Sequence, residues 1–156
     1  MKKIYFFAAL IFTSFIFSAC SKDVLKPYDD RIEGDWTLID VDRIGFGGGP
    51  SLDFAKGYFH FDESGKFEYR DGSGGFYEGN WDIRKEWMRG NCYTEEDGNY
   101  SCNDRYVRNL RIDATDFQTR DTKSEFFDEL KFTATNRFRA IIYAGTRTYI
   151  FRFKRD

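Results

Sequence analysis

Tyr77-Glu78-Gly79-Asn80-Trp81-Asp82-Ile83-Arg84 decides the fold class of this chain. Successive side chains of a strand point to opposite faces, so Tyr77, Gly79, Trp81 and Ile83 fall on one side and Glu78, Asn80, Asp82 and Arg84 on the other. A period of two with one polar face marks a strand covered on one side only. The pattern recurs upstream, where Phe67 and Tyr69 share a face, as do Phe59 and Phe61, with Asp62-Glu63-Ser64-Gly65 turning between them. Trp36 and Leu38 open an earlier strand, which runs through Ile39 and Val41 into Gly45-Phe46-Gly47-Gly48-Gly49-Pro50. Downstream a short strand is expected around Trp87, then one with Leu110 and Ile112 on one face. Alternation returns over 127–135, 137–143 and 148–154, and the last of these sets Tyr149, Phe151 and Phe153 on one side. A helical turn is expected within 122–129.

About eight strands follow one another with no long helix between them, which predicts an all-β, antiparallel up-and-down meander. Closing such a sheet into a barrel removes both exposed edges, so a closed barrel is the expected architecture. The 20% aromatic content and only two prolines agree with a β-rich domain. Without Lys2 and Lys3, 22 of the 24 basic side chains stand against 26 acidic ones. No basic stripe is left to release phosphate counterions, which argues against a nucleic-acid partner.

The N-terminus carries an address. Lys2 and Lys3 precede an apolar run from Ile4 to Phe17, relieved by Thr13 and Ser14, and Ser18-Ala19-Cys20 follows. That is a secretory signal layout, too short to span roughly 30 Å of hydrocarbon comfortably. The segment resembles the bacterial lipobox, with Phe17 where Leu is usual. The resemblance implies a signal peptide over 1–19, cleavage before Cys20, and acyl chains such as palmitate on Cys20 as a membrane anchor. Ser21 stands where an Asp would resemble an inner-membrane retention signal, so the outer membrane is the expected location, with the domain facing periplasm or cell surface. Residues 20–31 are polar and aperiodic and are expected to form the lipidated Cys and its tether, leaving 32–156 as a single domain. In such an oxidising compartment Cys92 and Cys102 are expected to form one disulfide.

Gly34-Asp35-Trp36 near the first strand, Phe61 and Phe67 around the next turn, and Gly79-Asn80-Trp81 beyond the glycine-rich Asp71-Gly72-Ser73-Gly74-Gly75 resemble the layout of lipocalin-like bacterial lipoproteins. The resemblance implies a small single-domain barrel in which an arginine of the last strand packs across the first tryptophan. Gly34, Trp36 and Arg155 are the expected barrel-closing set, with Arg152 the alternative if a bulge shifts the register.

Catalytic chemistry finds little footing. His60, the sole histidine, lies between Phe59 and Phe61 and is expected to face outward without a second metal ligand at useful spacing. No Gly-x-Ser-x-Gly is present, the glycine run lacks a following Gly-Lys-Ser/Thr, and Glu95-Glu96-Asp97 lacks the EF-hand order. No catalytic residue, metal or cofactor is expected. What remains is an inward aromatic set, in which Phe59, Phe61, Phe67, Tyr69, Tyr77, Trp81 and Phe151 are the candidate ligand-binding residues. Either these rings line a calyx for a small apolar ligand, gated by the Gly45 to Pro50 loop, or they fill the barrel, and the protein docks on another envelope protein through its loops.

Overall fold

The computed structural model describes residues 26–46, 51–96 and 99–156. The signal peptide, Cys20, the tether up to residue 25, residues 47–50 of the glycine-rich loop and residues 97–98 of the cystine loop lie outside the described residues.

A short helix, α1 (Tyr28–Ile32), precedes eleven strands among the described residues: β1 (Gly34–Ile44), β2 (Gly57–Phe61), β3 (Lys66–Arg70), β4 (Phe76–Met88), β5 (Cys92–Thr94), β6 (Tyr100–Cys102), β7 (Arg105–Thr115), β8 (Thr122–Phe127), β9 (Glu129–Ala134), β10 (Arg137–Ala144) and β11 (Arg147–Arg155). The protein is all-β. Nine strands form one antiparallel sheet in the order β8-β7-β4-β3-β2-β1-β11-β10-β9, and β5 pairs with β6 in a separate ribbon. The first and last long strands are neighbours, with Trp36 opposite Arg155 and Leu38 opposite Phe153 before a bulge at Leu38/Asp40. Past the bulge Val41 stands opposite Phe151, which puts Val41 on the inner face with Trp36 and Leu38, while Ile39 and Ile44 are exposed.

No hydrogen-bonded ladder closes this sheet. Its end strands, β8 and β9, are consecutive in the chain with only Asp128 between them. An ion pair reaches across the gap, with Arg105 Nη2 of β7 2.7 Å from Glu129 Oε2 of β9, while on the β9 side Asp128 Oδ2 accepts the Tyr143 N–H at 2.6 Å and Tyr143 Oη donates to the Glu129 carboxylate at 2.9 Å. β7 packs against β9, and β10 against β8.

Two local expectations are corrected, and a short helix lies at the end of the expected tether. The segment 122–127 is a strand rather than a helical turn, because its backbone pairs with β7 from Thr115↔Thr122 to Leu110↔Phe127 and Ser124 Oγ adds a bond to Asp113 at 2.5 Å. Trp87 does not begin a strand of its own: β4 runs unbroken through it, paired with β7 as far as Met88↔Arg105. At the end of the stretch expected as tether, Tyr28–Ile32 turns into α1. Pro27 presets the entry and accepts the Arg31 N–H at 3.2 Å, Asp29 and Asp30 face the positive first turn, and Arg31 closes the last. The helix is held by packing rather than propensity, with Ile32 fully buried and the Tyr28 ring edge-on to Phe132 at 5.2 Å.

Candidate functional site

All seven candidate ligand-binding side chains make ring contacts within the interior, Phe151 against Phe127. Phe59 meets Phe67, Tyr69 and Phe153 at 6.0, 4.9 and 5.0 Å between ring centres. Phe61 meets Phe67 at 5.2 Å and Trp81 at 5.7 Å, and Tyr69 meets Tyr77 at 5.6 Å. Phe138 stacks on Phe153 at 4.3 Å and stands edge-on to Trp36 at 4.6 Å, so the rings form one continuous aromatic body. Their polar tips find partners at its margin: Tyr69 Oη donates to the Lys56 carbonyl, Tyr77 Oη to Asp121 at 2.8 Å, and Trp81 Nε1 to the Asp62 carbonyl at 3.1 Å. Burial pushes the Tyr69 phenol up to about 12, helped by the nearby Asp71. The Tyr77 phenol also rises to about 12, through burial and then its bond to Asp121.

Two rings that sequence reasoning missed complete the interior. Phe54, in the connection between β1 and β2, is fully buried and touches Phe59, Phe67 and Tyr69, so this connection puts a ring on top of the aromatic stack. Phe127, at the end of β8, is fully buried against Phe151 at 5.0 Å. Phe54 stands in a segment without period and gave no signal. Phe127 carried one, as the residue where the alternating stretch 127–135 begins.

The other end is closed around Trp36. Its ring is fully buried, its Nε1 donates to the Ile32 carbonyl at 2.6 Å, and the Arg155 guanidinium lies over it, 4.5 Å from the ring centre. Arg155 also donates from Nη1 to the Glu33 carbonyl at 2.9 Å and from Nη2 to the Arg31 carbonyl at 2.6 Å, which ties β11 to the end of α1. Gly34 adopts φ +103°, which favours glycine, and a Cβ there would stand 3.1 Å from Arg155 Nη1, so the arginine would have to shift by a few tenths of an ångström. Gly79, in the second Gly-x-Trp unit, is required for another reason: a Cβ would run into the Asp113 carbonyl of β7 at 1.8 Å. Arg152 points the other way, to Asp42 and, at 3.9 Å, to Asp40.

Polar chemistry lies outside this body. Cys92 and Cys102 are opposite each other in the β5–β6 ribbon and are joined as a disulfide. His60 faces outward, with Nδ1 2.7 Å from Asp35 Oδ1. Both line an open groove of about 540 Å³ on the outer face of β1 to β3, together with Tyr58, Glu68, Arg70 and Asp156. The groove brings no serine, threonine or cysteine to the imidazole, and no metal-holding group of His, Cys, Asp or Glu occurs among the described residues. Glu95 serves its loop, donating its N–H to the Asn99 carbonyl at 2.8 Å.

No protein family, curated protein or solved structure matches this chain.

Proposed function

We propose that this chain is an outer-membrane lipoprotein, anchored through acyl chains on Cys20, whose strands wrap into a lipocalin-like barrel with a filled interior, and that it acts without catalysis by docking its outer surface on another envelope protein. The single observation that carries the choice between a filled and a hollow barrel is the ring-on-ring packing from Phe54 through Phe59, Phe153 and Phe138 to Trp36. A barrel of eight strands has an interior just wide enough for side chains to fill, and in one of nine strands large rings supply the extra volume. Closure is supported by the adjacency of β8 and β9 in the chain and by the side chains that bridge them to β7 and β10. Anchoring is supported by the resemblance of residues 1–20 to a lipobox.

The test is native mass spectrometry of the full chain purified from its own membrane, before and after organic extraction. Acyl mass on Cys20, no extractable small molecule and no uptake of a hydrophobic fluorescent probe are expected. An extractable apolar compound bound one to one would make the protein a ligand carrier instead. Crosslinking in intact cells then identifies the envelope partner, and a wild-type chain that crosslinks to nothing removes the docking role.

A further inference from the structure

The ribbon of β4 and β7 carries a strip of cations and rings that the interior does not use. Lys85 stands opposite Arg108, and Trp87 opposite Tyr106. By the alternation of strand side chains these four share one face. The Trp87 and Tyr106 rings meet at 4.6 Å, and Lys85 Nζ lies 4.2 Å from the centre of the Tyr106 ring. Arg108 carries the strip to α1, its guanidinium 5.5 Å from the Tyr28 ring centre, and Arg31 continues it, 5.7 Å from Tyr28 and 4.0 Å from Phe132. The aromatic end is open to solvent, with Trp87 54% and Tyr106 62% exposed. Glu86, opposite Val107, belongs to the other face of the ribbon, while Asp29 and Asp30 stand on α1 itself.

This combination has a chemical meaning. Tryptophan and tyrosine present an apolar ring with a polar tip and favour the headgroup layer of a bilayer, and lysine and arginine extend apolar stems beside it while their charges meet phosphates. The strip starts where the tether enters: Tyr28 follows Pro27, and the sequence has six residues between Cys20 and Pro27. Six residues reach at most about 20 Å. An acylated Cys20 therefore holds the Tyr28 end of the strip within reach of the lipid surface.

We infer that the face formed by Tyr28, Arg31, Arg108, Lys85, Tyr106 and Trp87 rests on the phospholipid headgroups of the membrane that carries the anchor. This rests on the reading of Cys20 as acylated, and it makes the lipid more than a leash: the domain has a defined side toward the bilayer, leaving the groove beside His60 and Asp35 for protein contact.

Trp87 makes the inference measurable, because Trp36 and Trp81 are buried. The full chain and its Trp87→Phe variant are mixed with phosphatidylethanolamine–phosphatidylglycerol vesicles whose acyl chains are brominated, and tryptophan quenching is read. Quenching about twofold greater in the wild type than in Trp87→Phe is expected, falling in a Lys85→Glu, Arg108→Glu variant because like charge repels the anionic surface. Intact mass reports acylation separately. Acylated chain with equal quenching in wild type and Trp87→Phe overturns the inference and leaves the anchor standing. Unacylated chain that still shows the Trp87 difference sustains the strip and removes the anchor; unacylated chain without it removes both. Trp87 quenching that disappears only when a crosslinked envelope protein is present assigns the face to that protein and overturns lipid contact as its resting state.

Discussion

The two halves of β4 obey one alternation and meet different fates. Tyr77 and Trp81, in the first half, are 5% and 9% exposed, while Trp87, six residues beyond Trp81 on the same side, is 54% exposed. Nothing in the local pattern separates them. What changes is the neighbourhood: up to Leu110, β7 is flanked by β8 and the sheet has an interior to face, whereas beyond the Leu110↔Phe127 pair β7 has lost that neighbour. The transition is marked in the chain, for Asn109 and Leu110 are consecutive and both buried, and Asn109 Oδ1 accepts the Arg84 N–H at 3.2 Å. A strand's alternation says which rings share a face; only a second layer makes that face a core.

The sharpest way to break this comparison is to delete one ring from each region. Phe138→Ala is expected to cost about 3–5 kcal/mol in urea unfolding, since it leaves a cavity between Phe153 and Trp36, and Trp87→Ala is expected to stay within about 0.5 kcal/mol. Equal losses would mean that the ribbon is part of the core.

Next comes the disulfide of the β5–β6 ribbon. Replacing Cys92 and Cys102 with serine opens a loop of sequence separation 10 and is expected to cost about 2–3 kcal/mol by chain entropy. Amide exchange should rise first in β5 and β6, with β10 and β11 unchanged; a uniform rise would show that the two regions unfold as one unit.

Arg155→Ala removes the plate over Trp36 and two bonds to the end of α1, an expected loss of about 2 kcal/mol. Lysine should restore less than half of it, because an ammonium has no plane to lay on the indole and no fork to span both carbonyls. An unchanged melting temperature in Arg155→Ala would remove this contact from the closing end.

The interior also carries a titration of its own. Folding raises the phenols of Tyr69 and Tyr77 to about 12, so the folded state keeps protons that the unfolded chain releases near an ordinary tyrosine value of about 10. Their contribution is intact below that range and is lost as pH climbs from there towards the raised values. Tyrosinate absorbance of the folded chain should contain a component that titrates only near about 12 and is lost in a Tyr69→Phe, Tyr77→Phe variant; absence of that component would contradict the packing of Tyr69 and Tyr77.

The smallest effect has the opposite sign. Tyr149 Oη is buried with no hydrogen-bond partner among the described residues. Tyr149→Phe keeps the ring, removes an unsatisfied hydroxyl and is expected to stabilise by about 0.5–1 kcal/mol. A loss of stability would show that this hydroxyl is bonded after all.

Much of the sheet was legible because a half-buried strand writes its burial into every second residue. The inner faces of β2, β3, β4 and β11, and the parity that sets Trp36 beside Arg155, can be counted off the chain. The failures have physical causes. Thr122 to Phe127 is polar and short, and its strand exists because β7 offers a free ladder. Tyr28–Ile32 is too short for any period, and its helix exists because Ile32 and Tyr28 find cover. Phe54 is a lone ring in a connection, drawn inward only because Phe59, Phe67 and Tyr69 are already stacked beneath it.

By itself, then, the sequence determined the class of the fold, the order of its long strands and which side chains share a face, because these follow from backbone geometry and a period of two. The tertiary structure alone decided which of those faces meet another layer, and with it that the rings pack on each other, that β8 and β9 bring the sheet's two ends to one residue, and that Trp87 and Tyr106 stay in the open. Burial is a property of what stands opposite, and no residue carries that information locally.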